Sequence, residues 1–448
     1  MSPFLRVLYL GYRCITWTTY WTKRRFTIVG QALLGAVMVA LVTAFDVEGA
    51  VGYQALIPLA AVLLIAFLFR FGFRVALEIE RKLPRVATAG SPFTYRVTVR
   101  NLTRKHQGGL TLIEDLADPR PAFHPWKEYK LDEDKHVRPF RFEKRNFQSP
   151  FKMATVKEAD LPALHPQEQG ELAIELTPLR RGVVRFTGVT IARPDPLGIY
   201  RALRQQPLPQ SVLILPKRYA LPPIALPGGM KYQQGGVAMA SNIGQSEDFV
   251  SLREYRRGDP PRHIHWRSWA KTGKPIVKEF EDEFFVRHAL VLDTFTPRPH
   301  SEVFEEAVSV AASFACTVLT QESLLDLLFV GPAAFCFTAG RGLAHADQML
   351  EILAAVQPCG GQPFAVLESL VLNHVTAVSG CICVMLAWDE PRQQFVAKLK
   401  SLDLPVVVVV IRPAGETKPL EPGPMGDAPE RFHVLQIGRI EEQLAQLK

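Results

Sequence analysis

Residues 26–45 read FTIVGQALLGAVMVALVTAF, a run of 20 without a single charge. At a rise of about 1.5 Å per residue, a helix of that length covers about 30 Å, the hydrocarbon thickness of a bilayer. A second apolar run at 53–69, YQALIPLAAVLLIAFLF, follows the short acidic link DVEGAVG. So short a link leaves room for a hairpin and nothing else. Lys23, Arg24 and Arg25 flank the first run, and Arg70 and Arg74 the second. Cationic flanks stay on the cytoplasmic side of a membrane. Trp17, Tyr20, Trp21 and Tyr53 add rings suited to the interface. These residues predict a membrane-anchoring region 1–80 with transmembrane helices at 26–45 and 53–69, both flanks cytoplasmic. A signal peptide does not fit, because a second span with a basic flank follows and no small-residue cleavage pattern is present.

A chain of 448 residues exceeds one ordinary core, so two or three domains are expected. The net charge is +8, with basic residues gathered beside the apolar runs and within 251–278. That distribution suits an anionic membrane surface. No zinc-finger spacing, basic arm or RNA-binding aromatic motif accompanies it, which argues against nucleic acid. The six cysteines, Cys14, Cys316, Cys336, Cys359, Cys381 and Cys383, form no CxxC pair and no secreted framework. Free, mostly buried thiols in a reducing compartment are the reading.

Between residues 83 and 215 the apolar period is two. Phe93, Tyr95, Val97 and Val99 alternate with Thr94, Arg96, Thr98 and Arg100, and later runs at 171–176, 182–191 and 211–215 repeat the pattern. Short antiparallel strands separated by Asn, Gly and Pro predict an immunoglobulin-like β-sandwich at 81–218. The polar, Pro-rich stretch 117–166 is expected to be an insertion or irregular loops. PLRRG at 178–182 and RPDPLGIY at 193–200 read as turns whose charges are structural. Residues 219–245, without period and rich in Pro and Gly, read as a linker.

Residues 246–448 form the last domain. Continuous apolar strands at 288–293, 324–330, 381–388 and 405–411, with RFHVLQIG as a last strand, alternate with helices at 302–319, 344–356, 363–377 and 391–400. This pattern predicts a parallel sheet covered on both faces, a Rossmann-like α/β domain. Neither a G-x-G-x-x-G nor a P-loop is present to cradle nucleotide phosphates. The expected whole is an α+β multidomain chain.

At the entrance to that domain, residues 251–278 hold eight Lys or Arg, two acidic residues, two His and two Trp. So cationic and aromatic a segment either binds an anionic partner or locks parts of the fold through paired charges. Arg253, Arg257 and Arg262 are placed to pair with Glu254, Asp259 and the acidic run 279–283. Trp266 and Trp269 read as anchors on a helix or turn.

The residues Phe249, Leu252, Arg253, Glu254, Tyr255, Gly258, Asp259, Arg262, Ile264, His265, Trp266 and Ala270 fit a signature of R-E-Y, G-D and R-x-I-x-W. In this respect, and in its RRG (180–182), DPLG (195–198) and N-terminal helix pair, the chain resembles the domain-of-unknown-function-58 family. The resemblance implies a multi-pass protein of the bacterial inner membrane with cytoplasmic soluble domains, the last of them von Willebrand factor A-like. It also implies partners: a MoxR-type AAA+ ATPase and a transglutaminase-like membrane protein. The implied role is an adaptor or assembly factor acting by protein–protein interaction. The interaction or structural motif is then Arg253, Glu254, Tyr255, Gly258, Asp259, Arg262, His265 and Trp266, with no catalytic residue.

Von Willebrand factor A domains hold Mg²⁺ on a D-x-S-x-S loop, an oxygen-rich set that a hard cation requires. Here Asp293 ends the right kind of strand, but Phe295 and Pro297 replace the hydroxyl residues. Asp389 is a second carboxylate, and the pair makes a weak Mg²⁺ candidate. The competing reading is that Asp293 caps a helix or receives an arginine. His263 and His265 on one strand face invite zinc, yet lack a third ligand. Two alternatives to the adaptor stand: a metal-dependent or His/Asp hydrolase centred on 253–266, and a module binding an anionic ligand or lipid.

Overall fold

The computed structural model describes residues 2–44, 51–136, 151–222, 249–257, 259, 261–280, 287–298, 300–320, 324–339, 343–416 and 419–447. Most of the acidic link at 46–52 and most of the linker at 219–245 lie outside the described residues. The chain forms two compact units. One comprises Met1–Lys217 with Arg298–His300 and Leu353–Ala355, the other Arg218–Pro297, Ser301–Ile352 and Val356–Lys448.

The first unit opens with helices α1 (Ser2–Arg25), α2 (Ile28–Thr43) and α3 (Val51–Leu68). Gly52–Gly72 is long and apolar enough to cross a membrane, whereas α2 is equally apolar but 16 residues long. The helix α1 departs from the expectation, in which Trp17, Tyr20 and Trp21 form only an interfacial aromatic belt. Thr27 caps α2 by accepting from the Gly30 N–H at 3.1 Å, and its own N–H donates to the Ile199 carbonyl at 3.1 Å. A Cβ on Gly30 would fall 2.1 Å from that same carbonyl oxygen, so only glycine permits the contact. Arg24 bonds Asp115, Arg25 donates to Tyr200 Oη at 2.6 Å, and Phe26 meets the Tyr200 ring edge-on. The α1–α2 junction is thereby fastened to the strands that follow.

Those strands are β1 (Leu77–Lys82), β2 (Val86–Thr88), β3 (Phe93–Asn101), β4 (Thr111–Leu116), β5 (Ala154–Val156), β6 (Ala159–Asp160), β7 (Gln169–Pro178), β8 (Gly182–Pro194) and β9 (Arg201–Leu215). They make two sheets, in the orders β1-β3-β7-β5 and β2-β9-β8-β4-β6, antiparallel except where β2 joins β9. Alternate residues of both sheets, including Val97, Ile174, Leu176, Phe186, Val189 and Ile214, close one core. The stretch expected to be irregular contains a helix, α4 (Phe123–His136). Its polar sequence shows no amphipathic period, and what holds it is tertiary: Trp126 lies 5.4 Å from Tyr9 and stacks on Tyr12 of α1.

Between the two sheets sits a buried ion pair. Arg81 (β1) donates to Glu114 (β4) at 3.1 and 2.5 Å, and its remaining N–H groups reach the Gly188 and Leu208 carbonyls and Gln210. Tyr95 Oη of β3 donates to the same carboxylate at 2.8 Å, and the guanidinium lies over the Phe186 ring. Both charged side chains are fully buried. Burial pushes the Glu114 carboxyl up, opposed by Arg81 and the Tyr95 hydroxyl. Removing one partner of such a pair costs about 3–5 kcal/mol, whereas replacing both is often tolerated. Glu114→Gln is therefore expected to lower unfolding free energy by about that amount, and Arg81→Met with Glu114→Leu to be more stable than either single change, measured by urea unfolding.

The second unit contains β10 (Phe249–Glu254), α5 (Trp266–Thr272) and β11 (Ile276–Phe280), then β12 (Arg287–Leu292), α6 (Glu302–Thr320), β13 (Leu324–Val330), β14 (Ala334–Ala339), α7 (Leu343–Ala355), α8 (Ala365–Leu372), β15 (Gly380–Met385), α9 (Glu390–Ser401), β16 (Val406–Arg412), β17 (Phe432–Gln436) and α10 (Ile440–Leu444). A six-stranded sheet runs β14-β13-β12-β15-β16-β17. All its pairings are parallel except β13–β14, which departs from the expected all-parallel sheet. The reason is local: only Gly331, Pro332 and Ala333 separate β13 from β14, too few for a crossover. Helices cover both faces, α6 on one and α8 with α9 on the other. Cys359, Cys381 and Cys383 are buried, with the last two Sγ atoms 3.4 Å apart, but Cys14 and Cys336 are exposed.

His288, on the central strand, is 2% exposed, and its Nδ1 finds no hydrogen-bond partner among the described residues. Burial pulls its pKa down to about 4. In the unfolded chain a histidine binds a proton near pH 6.5. The unfolded state thus holds the extra proton between about pH 6.5 and 4, and stability declines as pH falls through that window. Chemical unfolding at pH 7 and pH 5 should show this decline, and His288→Leu should reduce it.

Candidate functional site

Of the motif residues, Arg253, Glu254, Tyr255, Asp259, His265 and Trp266 come together on the β10–β11 hairpin. Gly258 lies outside the described residues, and Arg262 is described as backbone only, within the 3-10 turn Pro261–His263. The two strands pair antiparallel, with Arg253 opposite Val277 and Glu254 opposite Ile276. Arg253 grips Asp259 with two bonds of 2.7 and 2.8 Å, and the Arg256 N–H donates to the same carboxylate at 2.8 Å. The Arg253 bonds, seconded by that N–H, hold the Asp259 carboxyl down to about 2. An anion held so firmly is a poor proton acceptor near neutrality. Glu254 meets Lys274 at 3.1 Å with both side chains exposed, a contact worth little.

His263 and His265 are not two steps along one strand, as the zinc reading needed. His263 closes the 3-10 turn, Ile264 bridges Val277, and His265 stands at the start of α5, its Nδ1 2.7 Å from Ser268 Oγ. Gly273, at φ 67°, ends that helix in the left-handed conformation. Trp266 and Trp269 stack with ring centroids 5.3 Å apart, and Trp266 remains 63% exposed. Arg256, Arg257, Arg267 and Lys271 are also exposed. The hairpin thus joins a rigid, internally paired turn to a bare aromatic and cationic face.

A second constellation lies at the carboxyl ends of β12 and β15, where the strand order reverses and α/β folds place their ligands. Asp293, fully buried, accepts from the Phe295 N–H at 2.9 Å and the Leu386 N–H at 3.0 Å. Arg392 of α9 donates from Nε to Asp293 at 2.6 Å, from one terminal nitrogen to Asp389 at 2.7 Å, and from the other to the Phe295 carbonyl at 3.2 Å. The guanidinium lies over the Phe364 ring. Burial pushes the Asp293 carboxyl up, while Arg392 and the two N–H groups pull it down. Three donors converge on its two oxygens, contacts that favour the ionised form against that burial. Burial also works against the Arg392 charge, but Asp293 and then Asp389 outweigh it.

The structure therefore brings Asp293 and Asp389 together, yet on a guanidinium rather than facing a vacant pocket. Phe295 and Pro297 supply no side-chain oxygen there, and the Thr294 hydroxyl is turned to the Val330 carbonyl at 2.5 Å. Among the described residues no group of three or more His, Cys, Asp and Glu gathers to hold a metal. The donor set does not fit Mg²⁺. Arg392 was missed in the sequence because its role is a contact 99 residues away from Asp293. The visible signal was the D-E-P-R start of α9, where Asp389 caps the helix and accepts from the Arg392 N–H.

A mixed α/β chain with a basic hairpin ahead of a six-stranded sheet is the class the geometry defines. The family model described as Protein of unknown function DUF58 matches residues 251–385, which takes in the hairpin and the strands through β15. Uncharacterized protein YeaD of Bacillus subtilis is 27% identical over 198 residues, 43% of this chain and 48% of that protein. The chain thus spans about half the length of this curated relative. Among solved structures, the CARDB domain of PF1109 from Pyrococcus furiosus, in complex with di-metal ions, is 14% identical over 32% of this chain and 91% of its own, at a TM-score of 0.17. The PapD-like domain 7 of human CEP192 is 9% identical over 31% of this chain and 84% of its own, at a TM-score of 0.18. Scores this low carry no weight for fold or ligand.

The buried arginine and its outer carboxylate partner should respond differently to substitution. Arg392→Gln leaves Asp293 as a buried anion without its cation and should cost about 3–5 kcal/mol. Asp389→Ala loses a helix cap and one exposed ion-pair arm, and should cost about 0.5–2 kcal/mol. Urea unfolding of the two variants beside the parent checks the order.

Proposed function

We propose that this protein is a membrane-anchored cytoplasmic adaptor or assembly factor that acts by protein–protein contact. In this reading α2 and α3 form a transmembrane hairpin in a bacterial inner membrane, the two-sheet unit is an immunoglobulin-like sandwich, and the six-stranded unit is a von Willebrand factor A-like domain. The partner is a MoxR-type AAA+ ATPase, with a transglutaminase-like membrane protein as a further associate. The observation that carries the reading is Arg392. Its guanidinium occupies the place between Asp293 and Asp389 where a hydrolytic or metal-dependent site would need open coordination. The second unit also presents the exposed Trp266 face of the hairpin, and exposed Trp and Arg are the residue types that anchor protein interfaces.

Full-length protein purified from membranes should bring down an AAA+ ATPase, and EDTA should leave that complex intact. Trp266→Ala with Arg267→Glu should weaken recovery at least about tenfold, the loss of one anchor of about 1.4 kcal/mol or more, without changing the melting temperature. Recovery of no ATPase, or tightly held magnesium by elemental analysis, would overturn the reading.

A further inference from the structure

We infer that α1 lies in the plane of an anionic membrane surface, its outer face sunk into the boundary between headgroups and acyl chains. The inference rests on the membrane-anchored reading above and adds a second, peripheral contact to it. At 3.6 residues per turn, Phe4, Val7, Leu10, Ile15, Trp17 and Trp21 fall within one arc of about 160°. All six are exposed, Val7 at 66% and Ile15 at 67%. The opposite stripe is taken by the protein: Leu5 and Tyr9 are buried, and the Tyr9 hydroxyl donates to the Pro121 carbonyl at 3.0 Å.

Charge identifies the occupant. The helix carries Arg6, Arg13, Lys23, Arg24 and Arg25 and not one acidic residue. Arg6 and Arg13, both exposed, share an edge of the apolar arc, where long cationic side chains reach headgroups while their neighbours enter the acyl region. A second copy of this face would set arginine against arginine, because a twofold interface presents the same residues from both sides. With five cations and several threonines the helix is too polar to span a bilayer, which leaves the interface. Geometry agrees: only Phe26 and Thr27 separate α1 from the apolar α2, and the junction is held by the Arg25, Phe26 and Thr27 contacts to the 199–200 turn. An in-plane helix fastened at the mouth of a membrane hairpin would fix the height of the sandwich above the bilayer.

The test uses the full chain reconstituted in vesicles of phosphatidylglycerol and phosphatidylcholine with brominated acyl chains. On a background with Cys14, Cys316 and Cys336 replaced by Ser, which leaves only buried native thiols, bimane is attached at Val7→Cys, Ile15→Cys, Leu64→Cys in α3, or Arg100→Cys in β3. Bromine should quench positions 7 and 15 at least about twofold, as a burial of about 5–10 Å requires, and should leave position 100 unchanged. In phosphatidylcholine alone, quenching at 7 and 15 should fall towards the level at 100 while position 64 stays quenched. If 64 is quenched and 7 and 15 are not, the in-plane helix is wrong and the anchor stands. If none of the three is quenched, the anchor itself fails and the inference with it. Equal quenching of 7 and 15 in both lipids would overturn the anionic class.

Discussion

A charge taken out of water must find a partner, and each of the two units is organised around one place where this requirement is met. In the first, Arg81 and Glu114 are both fully buried between the sheets, so Tyr95, Gln210 and the carbonyls of Gly188 and Leu208 must sit where the guanidinium and carboxylate need them. That fixes how β1 and β3 of one sheet meet β4, β8 and β9 of the other. In the second, Asp293 and Arg392 tie the end of the central strand to the helix after β15. Hydrophobic burial drives both cores and chooses which face of each strand turns inward; the ion pairs add a demand on where distant elements must meet.

The same pair decides what the sheet's ligand-binding end can do. A crevice at a strand-order reversal with two nearby carboxylates resembles a cation site in outline. Filled by a guanidinium that satisfies both acids, it becomes a fixed point of the fold. The hairpin repeats the device at the surface: Arg253 and Asp259 neutralise each other and stiffen the turn, and the exposed work is left to Trp266 and the unburied cations.

Much of the architecture was legible in the residues. Continuous apolar runs located β12, β13, β15 and β16 closely, because strands buried on both faces leave no polar alternation to misread. Alternation in 93–99 and 182–191 likewise located β3 and β8. Several elements escaped, and three show why. The helix α4 has a polar sequence and is held by aromatic contacts to α1; β14, AFCFTA, is apolar but follows β13 after only three residues, at the exposed sheet edge; and the aromatic residues of α1 predict an interfacial belt rather than a helix. In the hairpin, the paired charges of Arg253 and Asp259 were legible, but the placing of His265 at a helix start was not.

What the sequence determined by itself were the properties that depend on local pattern: apolar spans, strand and helix periods, and a cationic aromatic segment before the last sheet. Tertiary structure alone decided which charges are spent and which are offered. Asp293 and Arg392 stand 99 residues apart and become partners only when β12 and α9 meet. The outer face of α1 is likewise defined only once Tyr9 and Leu5 turn inward. Long-range pairing leaves no trace in spacing, since the chain between two partners is free to take any length that closes the fold.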